Sequence, residues 1–182
     1  MADKPKVFCI GLSRTATQSL VAALEILGWH TVHYPRTVQE LDTYDAGADI
    51  TVSRRFRYLD LVYPGAKFIL TTRERKAWLA SCQRHFDGQA WRRTPFEEWT
   101  AILRDTADND FAVYGSVVFH ELKFETAYEL HDQHVRDYFA GRDNLLILDI
   151  ADTNDEELWR RLCEFVDAPI VADPFPWENR SQ

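Results

Sequence analysis

Lys6 to Gly28, KVFCIGLSRTATQSLVAALEILG, is the stretch from which the rest of the chain is read. A short apolar run, Val7 to Ile10, stops at Gly11. A polar turn follows from Leu12 to Gln18, with one cation, Arg14, and two threonine hydroxyls, Thr15 and Thr17. Leu20, Val21, Leu24 and Leu27 then recur at helical spacing until Gly28 ends the run. Strand, polar turn, helix is a geometry that cradles an anion, because the first N–H groups of a helix lack internal partners and carry partial positive charge. The turn has no Lys-Ser/Thr pair, so it is not the triphosphatase loop G-x-x-x-x-G-K-[ST], and it lacks the dinucleotide fingerprint G-x-G-x-x-G. On this segment alone, an ordinary strand-to-helix connection explains the residues as well as a phosphate site does.

With 182 residues the chain suits one compact domain, 1–182, large enough to bury a core. An apolar fraction of 46 % and six tryptophans argue against disorder. A net charge of −8 argues against a general nucleic-acid binder. An acidic protein that holds an anion needs a local cationic pocket, which raises the interest of Arg14 and Arg73. Cys9, Cys82 and Cys163 show no metal spacing, and their odd number and wide separation fit a reduced, cytoplasmic protein. Cys9 reads as a small buried apolar group. Met1 to Lys6 runs straight into the first strand, so no signal peptide is expected, and no apolar run approaches membrane-spanning length.

Further along, Gly28 to Tyr34 reads as a second strand closed by Pro35. Thr37 to Tyr44 fits a short helix with a capping box of Thr37 and Glu40. Asp45 to Val52 is a turn into a brief strand, and Arg54 to Leu61 a helix ended near Pro64-Gly65. Lys67 to Thr72, KFILTT, suits the buried middle of a parallel sheet. Helices are expected over Lys76 to Phe86, over Pro95 to Ala107 with proline in the first turn, and over most of Ser116 to Phe139. Asn144 to Ile150 is another buried strand, Asp155 to Val166 an amphipathic helix, and Pro169 to Gln182 an irregular tail. No repeat or composition break marks a second domain. Strands alternating with helices give an α/β, three-layer class: a short, mostly parallel sheet with helices on both faces, like the P-loop nucleotide triphosphatases. Ligands in such folds sit beyond the carboxyl ends of the strands, where Arg14, Asp49 and Arg73 fall.

Taken together, GLSRTATQSL at 11–20, DAGADITV at 45–52, YPGAKFILTTRERKAWLAS at 63–81, YELHDQHVRDYF at 128–139 and PFPWENR at 174–180 resemble one family. It is the sulfotransferases that use 3′-phosphoadenosine 5′-phosphosulfate (PAPS), in their compact branch. The resemblance implies that Ser13, Arg14, Thr15, Ala16, Thr17, Gln18 and Ser19 form the 5′-phosphosulfate loop. Arg14 stands where most members place a lysine, and Ala16 where many have glycine. It implies likewise that Arg73 and Ser81, an arginine after a core strand and a serine eight residues on, read the 3′-phosphate. PAPS is then the co-substrate, PAP the product, and no metal is required. The acceptor is a hydroxyl of a small molecule, carbohydrate or lipid, with no nucleic acid and no membrane span involved.

Sulfuryl transfer needs positioning, charge neutralisation at the leaving oxygen and a base for the acceptor proton. Arg14 answers the charge. Asp49 is the first candidate for the base, His33 the second, since imidazole titrates near neutrality, and Asp45 a further one. A turn carboxylate and a strand-end structural histidine explain Asp49 and His33 about as well. Tyr128 and His131 match the family but read as packing residues. Trp78 reads as core rather than an adenine platform. Trp177 and Asn179 either close over the nucleotide or pack on the sheet edge. Arg54, Arg55 and Arg57 read as a solvated helix face before an anionic-acceptor patch. Two rival readings stay open: a small-molecule kinase of similar topology, and a non-catalytic nucleotide-binding or interaction protein on a degenerate sulfotransferase scaffold.

Overall fold

The computed structural model, which describes residues 4–171 and 173–178, places the first apolar run at the centre of a sheet. β1 (Val7–Cys9) pairs in parallel with β3 (Ala46–Ala48) on one side and β4 (Lys67–Thr72) on the other. β2 (Thr31–His33) lies outside β3, and β5 (Leu145–Asp149) outside β4. The order is β2-β3-β1-β4-β5 and every pair is parallel. The helices among the described residues are α1 (Thr17–Ile26), α2 (Ile50–Ser53), α3 (Phe56–Val62), α4 (Arg75–Asp87), α5 (Ala101–Tyr114), α6 (Glu121–Tyr138) and α7 (Asp155–Val166).

The chain divides into two compact units, one running to Arg73 and resuming at Tyr138, the other Glu74–Asp137. In the first, strand alternation sorts the side chains into two layers. Val7 and Cys9, with Ala46, Ala48, Ile69 and Leu148, join Leu20 and Leu24 of α1 and Trp159 and Leu162 of α7 in one core. Phe8 and Phe68 face the other way. Phe8 lies 5.4 Å from the Tyr63 ring at the end of α3, and Phe68 lies 4.9 Å from Phe139. Helical segments therefore cover both faces, which is the three-layer α/β class expected. Each aromatic contact of this kind adds about 0.5–1.5 kcal/mol beyond the burial itself.

The tail belongs to this unit. Trp159 Nε1 donates to Asp173 O at 2.7 Å, the Trp159 and Phe175 rings lie 4.9 Å apart, and Phe175 N donates to Asp155 Oδ2 at 3.1 Å. Trp177 packs against the α1/α7 core, with Nε1 3.4 Å from Asp155 Oδ1. Asn179 lies outside the described residues. Behind α3, Arg142 grips Asp60 with two guanidinium nitrogens at 2.7 and 2.8 Å, and Tyr138 Oη donates to the same carboxylate at 2.7 Å.

The second unit is built on rings. Tyr114 and Phe124 stack at 4.3 Å, and Phe86 meets both edge-on. Trp78 is fully buried among Tyr114, Phe124 and Tyr128, so it is core. Arg92 and Asp110 form a buried ion pair at 2.7 Å. Further bonds from Arg92 to Gln89 Oε1 and Val117 O, and its stacking on Phe86, offset the cost of removing that charge from water.

Several boundaries differ from the sequence expectation. Pro95 opens only a 3₁₀ turn, Phe96–Glu98; Thr100 caps α5, accepting from Leu103 N, and α5 runs on to Gly115 in left-handed conformation. The expected helix from Thr37 is a 3₁₀ turn, Gln39–Asp42, in which Thr37 Oγ1 accepts from Glu40 N while Glu40 reaches back to Arg36 N. The strand expected after Asp45 is only Ala46–Ala48, because Asp49 turns the chain into α2. α1 starts at Thr17, and its flanking residue Ala16 is left-handed at φ 68°. That conformation costs an L-residue about 1–2 kcal/mol.

Two outcomes follow from these contacts. Ala16→Gly should raise Tm by roughly 2 °C, because removing the left-handed penalty outweighs glycine's extra unfolded-state freedom of about 0.4–1 kcal/mol; a fall in Tm on thermal unfolding would contradict the assigned conformation. Hydrogen bonds from Arg142 hold the Asp60 carboxyl below its ordinary value, so its stabilisation is present above the ordinary carboxylate pKa and lost as pH falls through the depressed one. Asp60→Asn should therefore be less stable than wild type at neutral pH by no more than about 1 kcal/mol, given the exposure of Arg142, and urea titrations should show the gap closing below about pH 4.

Candidate functional site

All five strands end on the same edge of the sheet, and each delivers a polar group there. From β1 the chain passes to β2 on one side, whereas from β4 it leads to β5 on the other. The carboxyl ends of β1 and β4 thus flank the switch point at which α/β folds place ligands. The turn after β1 and Arg73 after β4 stand on either side of it.

The turn is shaped by close packing against β4. A Cβ at Gly11 would come within 2.6 Å of both Thr15 Oγ1 and the Thr71 carbonyl oxygen, so only glycine fits. Thr15 Oγ1 donates to Leu12 O at 2.7 Å, which leaves Thr71 Oγ1 as donor in the 2.7 Å bond between the two hydroxyls. Ser53 Oγ of α2 donates to Gly11 O at 2.5 Å. Two residues of the turn take left-handed backbone, Arg14 at φ 72° and Ala16 at φ 68°. The turn ends where α1 begins. Thr17, Gln18 and Ser19 precede the first main-chain bond of the helix, Leu20 N to Ala16 O. No side chain caps this end and no acidic residue lies in its first turn, whereas Glu74, Thr100 and Asn154 cap α4, α5 and α7.

The expected loop residues therefore fall into two groups. Thr15 is buried and holds the turn together, and Ser19, also buried, accepts from Glu178 N at 3.0 Å and so holds the tail. Ser13, Arg14, Ala16, Thr17 and Gln18 line the turn and the helix start, with Arg14 half-buried and Gln18 exposed. Arg73 Nη1 reaches the main-chain carbonyl of Arg14 at 3.4 Å, so the Arg73 side chain crosses the switch point to the turn after β1. Ser81 lies in the second unit, buried in α4 and two turns beyond the Glu74 cap.

Asp49 and His33 come together because β2 and β3 are in register. His33 pairs with Ala48, so Asp49 is the next residue along β3. His33 Nε2 lies 3.2 Å from Asp49 Oδ2 and 3.2 Å from Thr17 Oγ1. Asp49 Oδ1 accepts from Ser13 Oγ at 3.2 Å and from Ile50 N at 2.5 Å. A chain of contacts thus runs from the turn, through Asp49 and His33, back to the start of α1. Asp49 has φ 86° and ψ 179°, a backbone region that belongs almost wholly to glycine. Asp45, by contrast, precedes β3 at the opposite end of the sheet, where it accepts from His30 N.

Sequence reasoning missed Asp149, which ends β5 as Thr72 ends β4. Burial pushes its carboxyl above the ordinary range, against the N–H groups of Asp152 and Ala151 and the charge of Arg73, which pull it down. Its place at the end of the apolar run NLLILDI was the available signal. Cys9, beneath the turn, is pushed up to about 12 by burial and is no nucleophile. Of the expected basic cluster, Arg55 bonds Thr51 O and Arg57 lies over the Phe56 and Tyr138 rings, and both Arg54 and Arg57 are exposed. His131 is half-buried on α6. Among the described residues no group of three or more His, Cys, Asp and Glu is placed to hold a metal, and no helix is long and apolar enough to cross a membrane.

Comparison with known proteins matches this arrangement to one family. The family profile described as a sulfotransferase domain matches residues 6–42 and 36–182. The "Ava biosynthesis cluster protein M" of Aspergillus versicolor is 25 % identical over 218 residues, covering 94 % of this chain and 79 % of that protein. The crystal structure of a sulfotransferase from Alicyclobacillus acidocaldarius superposes with a TM-score of 0.56 over 100 % of this chain and 87 % of the other, at 14 % identity, which is a likeness of fold. Since the profile takes in both the turn after β1 and everything from Arg36 onward, the chain belongs to the sulfotransferase domain family.

Proposed function

We propose that the protein transfers a sulfuryl group from 3′-phosphoadenosine 5′-phosphosulfate to an acceptor hydroxyl. The observation that carries this reading is the contact of the Arg73 guanidinium with the main chain of Arg14, in the turn that leads into the uncapped start of α1. Two cation-bearing residues beside a helix N-terminus, in a chain of net charge −8, favour a compact polyanion there. The donor fits that chemistry, since it carries a 5′-phosphosulfate and a separate 3′-phosphate.

We infer the roles from the positions of these residues around the turn after β1 and from the family resemblance. N–H groups of Thr17, Gln18 and Ser19, at the positive end of α1, hold the 5′-phosphate. Arg14 opposes the charge that grows on the oxygen between phosphorus and sulfur as the bond breaks. Arginine offers a planar fork where a lysine offers a point charge, so it can bond two oxygens together. Arg73 reads the 3′-phosphate and so separates this donor from adenosine 5′-monophosphate derivatives; for Ser81 the same role rests on the family resemblance alone. The acceptor proton leaves through the Asp49–His33 pair. The acceptor is a small molecule, carbohydrate or lipid bearing a hydroxyl. The reaction needs no metal, because the arginines and the helix N-terminus supply the positive charge that a metal would bring.

Calorimetry with 3′-phosphoadenosine 5′-phosphate (PAP) against adenosine 5′-monophosphate tests the reading. Wild type should prefer PAP, and Arg73→Ala should narrow the preference by about ten- to a hundredfold, the worth of a charged hydrogen bond. Equal preference in wild type and Arg73→Ala would remove Arg73 from the site. Arg14→Ala should reduce turnover of PAPS far more than PAP affinity, as expected of a group that acts chiefly in the transition state. A parallel loss of both would make Arg14 a binding residue only.

A further inference from the structure

We propose that His33 Nδ1 is the atom that takes the acceptor proton, and that Asp49 is a positioning residue that fixes the tautomer of His33. The inference rests on the donor reading above and divides between two residues a task that either could have performed alone.

Hydrogen-bond capacity decides the division. Asp49 Oδ2 and Thr17 Oγ1 both lie 3.2 Å from the same ring nitrogen, Nε2. An ionised carboxylate can only accept, so the shared hydrogen must sit on Nε2. The neutral ring then carries its lone pair on Nδ1, and among the described residues no group hydrogen-bonds that atom. The Asp49 carboxylate is differently placed. Oδ1 accepts from Ile50 N and Ser13 Oγ, Oδ2 faces His33, and the side chain is only 15 % exposed against 24 % for His33. Its lone pairs already point at protein donors, whereas a base needs a lone pair turned to the substrate.

The backbone supports the same assignment. Asp49 holds φ 86° and ψ 179° immediately after a strand of Ala-Gly-Ala, and this conformation turns its carboxylate onto both Ile50 N and the ring. Strain of that kind persists where the surroundings over-determine it. Thr17 ties the ring to the first residue of α1, so the imidazole is held beside the helix end that faces the donor phosphate.

The step balances without further reagents. An acceptor oxygen forms a bond to sulfur while the bond from sulfur to the 5′-phosphate oxygen breaks, its electron pair staying on that oxygen. The hydroxyl proton passes to His33 Nδ1, and the resulting imidazolium, still bonded to Asp49 through Nε2–H, returns it to solvent after the sulfate ester leaves. Asp49 stabilises the cation in that interval by its negative charge.

Long-range proton–nitrogen correlation spectra of the full chain, with 15N-labelled histidine, test the tautomer directly. The His33 signal is assigned among the six histidines by its loss in His33→Gln. Wild type should show protonated Nε2 and bare Nδ1. Asp49→Gly should show both tautomers; glycine is chosen because it accepts φ 86° freely and so keeps the fold. A protonated Nδ1 in wild type, or a tautomer unchanged in Asp49→Gly, would overturn the assignment. A second measurement is PAP release from PAPS with water as acceptor. It should fall on the order of 100-fold in His33→Gln, which keeps an N–H for Asp49 but no base, while PAP affinity holds within about twofold. An unchanged rate would overturn the role of Nδ1. Failure of wild type to bind PAP at all would overturn the donor reading and the proton-acceptor role together, yet leave the tautomer result standing, so the two failures are told apart.

Discussion

The turn after β1 exists in this form because Gly11 has no side chain. It lets the backbone lie against Thr71 closely enough for the hydroxyls of Thr71 and Thr15 and the Leu12 carbonyl to form one buried chain. That chain ties the turn to the neighbouring strand, and the Ser53 hydroxyl ties it to α2 on the other side. With both flanks held, the left-handed residues Arg14 and Ala16 are kept in place, and α1 starts with its amide groups directed at the switch point. A looser turn would leave Arg14 and Arg73 without a common reference. The rigidity of the site is thus set by packing beneath it, and its charge is added on top.

Much of this was legible wherever a long apolar run or a full helical period carried the signal. KFILTT and the helix from Asp155 to Val166 stand where their patterns put them, since a buried parallel strand and an amphipathic helix leave few other solutions. The short elements were harder. β2 and β3 have three residues each, too few for alternation to declare itself, and their lengths are set by pairing with neighbours. Pro95 misled because a proline start suits a 3₁₀ turn as well as an α-helix, and only Thr100 has the hydroxyl that caps the real one.

At the site, residue identity was readable and orientation was not. Thr15 and Ser19 look like phosphate ligands in sequence, because hydroxyls at a helix mouth commonly serve that end. Their directions depend on partners far along the chain, Thr71 for one and Glu178 for the other. The pairing of His33 with Asp49 is likewise invisible along the chain, since it follows from a register between strands 15 residues apart. Ala16 shows the converse. A departure from glycine that looks like lost freedom proves to be a left-handed alanine held by its neighbours, so the substitution changes the energy of the turn and not its course.

The distribution of charge adds a last constraint. Acidic residues outnumber basic ones overall, yet the first turn of α1 contains none, and Asp149, the carboxylate at the end of β5, is biased toward its neutral form by burial. The carboxylate close to the turn that serves the site, Asp49, is bonded to Ser13, Ile50 and His33, which absorb its charge locally. Acidic groups elsewhere on the surface repel a polyanion weakly and are screened within about 10 Å at ordinary salt, whereas the arginines and helix end act at contact. A protein of this net charge can therefore gather an anion only if its carboxylates near the turn are neutral or already engaged. Burial shifts Asp149 toward the first condition, and Ser13, Ile50 N and His33 meet the second at Asp49, so the histidine that orders this carboxylate is also the one left with a lone pair to use.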